Sequence, residues 1–261
     1  MLRLNRILLA VIPLATLTAC LSTSPTEGSA IALITMNARV KGAGYTTAPV
    51  ANFYKASSIT FASSGAATDT CQAGAYSSAV TPTTAAVISG GANIAVKLAG
   101  KSDTLRKVST TDLTYKLASA SGMTFTPGDS VTFTNAGDVT GFFSTTFTGK
   151  TAEAFTASPI TVPAAGQPLA ITWTAATDGN SALIVSLRYN DGTGSGVNAQ
   201  IFCDFRDDGA GTVPAALAAK WAASTERTTV MQRLRTAVIV TTSTQYINLI
   251  STFELPTPTS P

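Results

Sequence analysis

The chain has 261 residues, with 17 Lys and Arg against 14 Asp and Glu for a formal charge of +3, and it contains no histidine. The missing imidazole excludes Ser-His-Asp and Cys-His nucleophilic catalysis and His-containing zinc sites, which leaves carboxylates, Lys, Tyr or Ser to carry any chemistry. Only 12% of the residues are charged, against about 25% in a typical soluble domain, while the 45% that are hydrophobic supply a core and argue against disorder.

Met1 to Arg6 carry two cations, Arg3 and Arg6, and no acid, and Ile7 to Leu17 follow as an uncharged, mostly apolar run. These are the n-region and h-region of a signal peptide. The run is about half the ~20 residues that a spanning helix needs, and Pro13 interrupts it, so a mature transmembrane helix is not expected. It ends in Leu17-Thr18-Ala19-Cys20, which resembles the lipobox of bacterial lipoproteins. The resemblance implies lipidation of the Cys20 thiol, cleavage before Cys20, and acylation of the new amino group. One acyl chain binds a membrane only reversibly, whereas two signals hold stably.

Residues 1–19 are thus expected to be a lipoprotein signal peptide, and residues 20–30, rich in Ser, Thr, Pro and Gly, a flexible tether. In that family an Asp after the cysteine often marks inner-membrane retention. Leu21 stands there instead, which implies an outer-membrane lipoprotein facing the periplasm or the surface. Without residues 1–19, fifteen Lys and Arg face fourteen Asp and Glu, a net +1. A body so nearly neutral offers no basic footprint for nucleic acid.

From Ala30 onward apolar residues alternate with period two, the pattern of half-buried strands. It is clear at Ile94, Val96 and Leu98, at Leu113, Tyr115 and Leu117, and at Val131 and Phe133. It returns at Leu169, Ile171 and Trp173, then from Leu183 to Tyr189, then at Ile201, Cys203 and Phe205. Turn signals separate the runs, among them Gly90-Gly91, Pro127-Gly128-Asp129, Asp178-Gly179-Asn180 and Asn190-Asp191-Gly192, where Asn, Asp and Gly tolerate positive φ. Many short strands at this spacing predict a mainly β protein, an antiparallel β-sandwich. One short helix is expected in Thr212 to Trp221, with Pro214 at its first position and Leu217 and Trp221 on one face as a lid over the sheets.

Residues 158–168, with three prolines and a glycine, cannot occupy a central strand. They divide the expected body into a β-rich module at 31–158 and a second β-sandwich module at 159–254, followed by a Pro-rich tail at 255–261. Cys71 and Cys203 remain after the anchor. In an oxidising compartment they most simply form one disulfide, the alternative being two buried thiols.

Leu169 to Thr174, ahead of an Asp-Gly-Asn turn, resembles the second strand of an immunoglobulin-like or fibronectin type III module, where a tryptophan packs between sheets. The longer stretch from Pro168 to Ala223 resembles a recurrent segment of uncharacterised bacterial envelope lipoproteins. It shares the Leu169 to Thr174 strand, the Leu183 to Leu187 strand, the Ile201 to Phe205 strand bearing Cys203, the Asp207-Asp208-Gly209 turn, and the Val213 to Leu217 helix start. Phe125 to Asp129 fits the same group. The resemblance implies fold and location, and no activity.

Two clusters are candidate sites. Asp204, Asp207 and Asp208 form an oxygen-rich loop of the kind that can hold calcium, with Asn190 and Asp191 as further donors. Their spacing matches no defined calcium loop, and a solvated turn is the simpler reading. Phe142 and Phe143, with Phe147, are the candidate exposed aromatic surface for a sugar or protein partner, although a strand covered on both faces is the preferred reading. The glutamates, Glu27, Glu153, Glu226 and Glu254, fall in linkers or loop edges and none is paired with an Asp by any motif.

These observations lead to the expectation of a lipid-anchored, non-catalytic envelope protein that meets the membrane through its N-terminal lipid and binds or scaffolds a protein or glycan. No catalytic residue and no cofactor other than calcium is expected. The alternatives are a carboxylate-dependent glycan hydrolase and a calcium-dependent carbohydrate-binding module.

Overall fold

The computed structural model describes residues 29–55, 68–76, 86–242 and 244–255. The signal peptide, Cys20, the tether through residue 28 and the tail from residue 256 lie outside them. No helix among the described residues is long and apolar enough to cross a membrane.

The described chain is mainly β with one helix. In order it forms β1 (Ala30–Lys41), β2 (Gly44–Thr47), β3 (Val50–Lys55), β4 (Thr70–Ala75), β5 (Ala86–Val87), β6 (Asn93–Leu98), β7 (Lys101–Lys107), β8 (Tyr115–Leu117) and β9 (Met123–Phe125). There follow β10 (Ser130–Asn135), β11 (Thr145–Lys150), β12 (Leu169–Thr172), β13 (Ser181–Tyr189), β14 (Ala199–Arg206) and β15 (Ala210–Val213). The helix α1 (Ala215–Ala223) then leads into two long strands, β16 (Arg227–Thr242) and β17 (Gln245–Glu254).

One large sheet runs β11-β10-β6-β7-β8-β3-β1-β17-β16-β13-β14-β4. Its pairings are antiparallel except between β1 and β17, which run parallel. The sheet folds over on itself, because inward residues of β6, β10 and β11 (Val96, Phe133, Phe147) share one apolar cluster with those of β1, β3 and β17 (Ile34, Phe53, Leu249). Gly149 of β11 lies so close to the Leu249 side chain that a Cβ there would overlap it. The far half of the long layer is covered differently. A two-stranded sheet of β12 and β15, together with α1, encloses a second cluster on β13, β14 and the start of β16, including Leu183, Phe205, Trp173 and Trp221.

Buried residues of the two clusters up to Phe147 lie in the first and those from Ala152 to Met231 in the second, but β17 belongs to both. Ile247 and Leu249 enter the first cluster and Phe253 the second, on one face of one strand. Strand pairing also crosses the Pro-rich segment, since β1 pairs with β17 and β4 with β14. The second crossing carries a disulfide between the directly opposed Cys71 and Cys203.

α1 lies on β13, β14 and β4, with Ala218 and Trp221 fully buried. It starts one residue later than the sequence pattern indicates, because Pro214 has an extended ψ of 143° and serves as N-cap. At the other end the Arg227 guanidinium donates to the carbonyls of Ala222 and Ser224 at 2.9 and 2.7 Å, where a positive charge complements the helix dipole.

Candidate functional site

A buried polar cluster surrounds Arg233. The alternation of β16 turns Thr229, Met231, Arg233 and Arg235 toward the covered face, so a guanidinium enters the second core. It binds both oxygens of Asp207, Nε to Oδ2 at 2.6 Å and Nη2 to Oδ1 at 2.9 Å. It also donates to the carbonyls of Ala154 at 3.1 Å and Thr174 at 2.5 Å, and it stacks 5.0 Å from the centre of the Phe155 ring. Trp173 Nε1 adds a bond to Asp207 Oδ1 at 2.7 Å. The two charged side chains are 1% and 2% exposed, and such a pair persists only because nearly every donor and lone pair finds a partner. This is a strut that ties four segments together, with no room for a substrate.

That strut decides the fate of the predicted aspartates. Asp207 turns inward to Arg233, Asp208 is exposed and caps the Ala210 amide at 3.4 Å, and Asp204 lies on the outward face of β14 opposite Thr70. The structure therefore does not bring the three together. Among the described residues no group of three or more acidic or cysteine side chains is placed to hold a metal. Asp204 has a raised pKa, first through burial and then through the neighbouring charge of Asp69. One of its oxygens is buried without a partner. For Asp69 burial acts in the opposite sense, but bonds and charge from Arg206 outweigh it and lower the pKa. Those bonds run from the Arg206 amide at 2.9 Å and Nε at 2.7 Å.

The aromatic pair divides between the two faces of its loop. Phe142 is fully buried against Phe53, ring centres 5.2 Å apart, whereas Phe143 is 54% exposed. Phe147 is buried and stacks on Phe133. Backbone proximity fixes this arrangement: the Phe142 amide donates to the Ser89 carbonyl at 2.9 Å, and a Cβ at Gly141 would overlap that same carbonyl.

An open cavity that the sequence did not suggest is also present among the described residues. It measures about 680 Å³ and lies between the β13–β14 loop and the end of α1, walled by Tyr189, Asn190, Asp191, Lys220, Ser224 and Glu226. Its volume suits a small ligand. Asn190 joins the walls, its amide donating to Ser224 Oγ at 3.2 Å and its Nδ2 to Glu226 Oε2 at 3.2 Å. Asp191 accepts from the Thr193 hydroxyl at 2.6 Å, the Thr193 amide at 2.9 Å and Asn198 Nδ2 at 2.8 Å. These bonds, the Thr193 hydroxyl foremost, lower its pKa, while burial and then the Asp191 charge raise that of Tyr189. A carboxylate held ionised and a phenol held protonated can orient a polar ligand, but neither is poised to exchange protons near neutrality.

Comparison with known proteins finds no family model that matches the chain, and neither a curated protein nor a solved structure that is similar to it.

Proposed function

We propose that the chain is a lipid-anchored, non-catalytic protein of the bacterial envelope, held at the outer membrane through Cys20, whose β-body binds or scaffolds a partner outside the cytoplasm. The observation that carries this reading is the engagement of its carboxylates. Glycan hydrolysis needs one carboxyl kept protonated opposite a second that is ionised, about 5 to 10 Å away across a sugar. Asp207, Asp178 and Asp69 instead each face an arginine. Glu153, Glu226 and Glu254 accept bonds from Thr177, Asn190 and Gln232.

Asp204, whose pKa is raised, lies near the charge of Asp69. It sits on the outward face of a sheet, with Asp69 clamped by Arg206. The Cys71–Cys203 disulfide supports an oxidising compartment, and the polar cavity beside α1 supports binding without turnover.

The test pairs the anchor with the chemistry. Mass spectrometry of the protein from its native membrane is expected to show a cleaved chain beginning at a triply or doubly acylated Cys20, and Cys20→Ala is expected to leave the membrane fraction. Incubation with envelope glycans is expected to release no new reducing ends. An uncut leader or a free thiol at Cys20 overturns the anchor, and reducing ends that disappear in Asp204→Asn overturn the non-catalytic reading.

A further inference from the structure

The outward face of β11, β10, β6, β7 and β8 carries rows of threonines and several cations. The registers set Thr132 against Thr148 and Thr134 against Thr146, and their hydroxyls pair at 2.8 and 3.1 Å. Lys97 lies beside Thr132 and Arg106 beside Lys116, while Lys150 pairs with Ser130. Asp103 is the one carboxylate within these five strands, and it shares the alternate face with the buried Leu105. None of the four cations forms a salt bridge among the described residues. The nearest acids lie off the face: Asp112 senses Lys116, and Asp178, already paired with Arg235, senses Lys150.

Strands about 4.8 Å apart that rise about 3.3 Å per residue put Lys150, Lys97 and Arg106 on a diagonal with Cα spacings of about 12 to 14 Å, with Lys116 beside the last. The result is a surface of short hydroxyls crossed by a line of cations that form no salt bridge among the described residues. We propose that this face docks an extended acidic polysaccharide, its carboxylate or sulfate groups meeting the diagonal and its hydroxyls meeting the threonine rows.

Charge complementarity selects the class of partner, and the rest of the face selects among polyanions. It presents no aromatic side chain on which the bases of a single strand would stack. Polybasic segments that bind anionic bilayers cluster about 4 to 8 cations close together, whereas these four are spread along the diagonal, with Ala95 the only apolar outward residue between them. Hydroxyl pairs that already exchange one bond each keep lone pairs free for a sugar. The inference deepens the binding role proposed above and rests on the body lying outside the cytoplasm.

The test uses the full chain extracted from membranes in a neutral detergent, with polygalacturonate as probe and neutral dextran, phosphatidylglycerol vesicles and oligothymidylate as comparisons. Polygalacturonate is expected to bind at about 0.05 M salt and to weaken steeply toward about 0.3 M, as solvent-exposed charge pairs are screened. Lys97→Glu with Arg106→Glu, both at exposed positions, is expected to weaken binding about tenfold or more. Arg39→Glu, on the outward face of β1, is expected to leave it unchanged. Equal binding by the double variant, no binding at low salt, or tighter binding to vesicles or oligothymidylate overturns the proposal. Polymer length after incubation separates the two readings: shortening refutes the absence of catalysis while leaving the docking face in place.

Discussion

Arg233 and Asp207 show how context outweighs residue type. A guanidinium at 1% exposure is tolerable because Asp207, two carbonyls and the Phe155 ring replace its water. Removing one partner leaves the other charge buried and unpaired, at a cost of about 3 to 5 kcal/mol. Arg233→Met and Asp207→Asn are each expected to lower unfolding free energy by that order in denaturant titration. The double variant is expected to lose less than the sum, since the residues act as one unit; full additivity would contradict the strut.

Asp204 makes the opposite case. Its folded pKa is raised by burial and by Asp69, so the folded state holds the proton more tightly than the unfolded chain does. Stability then falls as pH rises from the unfolded value through the folded one. Asp204→Asn is expected to raise the melting temperature slightly at pH 7, the gain being small because the group is only partly buried, and to converge with the wild type below the ordinary Asp range. A gain that persists in acid would mean that charge is not the cause.

At the level of elements, the strands legible in sequence are those whose inward positions are apolar. β6 reads as Ile94, Val96 and Leu98, and β14 as Ile201, Cys203 and Phe205, because the pattern and the burial coincide. β16, the longest strand, is not legible that way: its inward residues include Thr229, Arg233 and Arg235, so a rule that sends apolar residues inward reads the wrong face. Trp173 extends the period of β12 on paper but leaves the strand for an isolated bridge to Ala157. The Arg233–Asp207 pairing and the cavity beside α1 were hidden for a related reason, since their partners come from distant elements and no local spacing announces them.

The Cys71–Cys203 pairing was legible as the simplest use of the two cysteines left after the expected anchor, and the structure sets the two directly opposite each other. Among the described residues β4 is an edge strand paired only with β14, and the disulfide is its covalent hold. Closing a loop of 132 residues lowers unfolded-chain entropy by an amount worth about 4 to 5 kcal/mol in the chain-entropy model. Replacing both cysteines by serine is expected to lower global stability by no more than this and to remove amide-exchange protection from Thr70–Ala75 before any other strand. Unchanged protection there would show that β4 is held by its ladder alone.

At the scale of the whole molecule, the described residues form two cores under two separate covers, yet the layer beneath them is continuous. β17 places Leu249 in one core and Phe253 in the other. Between these residues Ser251 Oγ accepts the Ala152 amide at 2.9 Å, and on the neighbouring strand Arg235 donates to the Lys150 carbonyl at 3.3 Å. A division at residues 158–168 would leave the first half without β17, the strand that pairs with β1 along nine consecutive positions from Ala30 to Ala38. The exposed edge of β1 and the missing Ile247 and Leu249 would cost that half both hydrogen bonds and apolar contact. The second half would lose β4, β1 and the disulfide. The full chain is therefore expected to unfold in one cooperative transition, with fluorescence and circular dichroism coinciding. Fragments 29–158 and 159–255, made separately, are each expected to lack dispersed amide resonances and to regain them on mixing. A fragment that folds alone, or two resolved transitions in the full chain, would mean that the two cores, and not the shared strands, set the unit of folding.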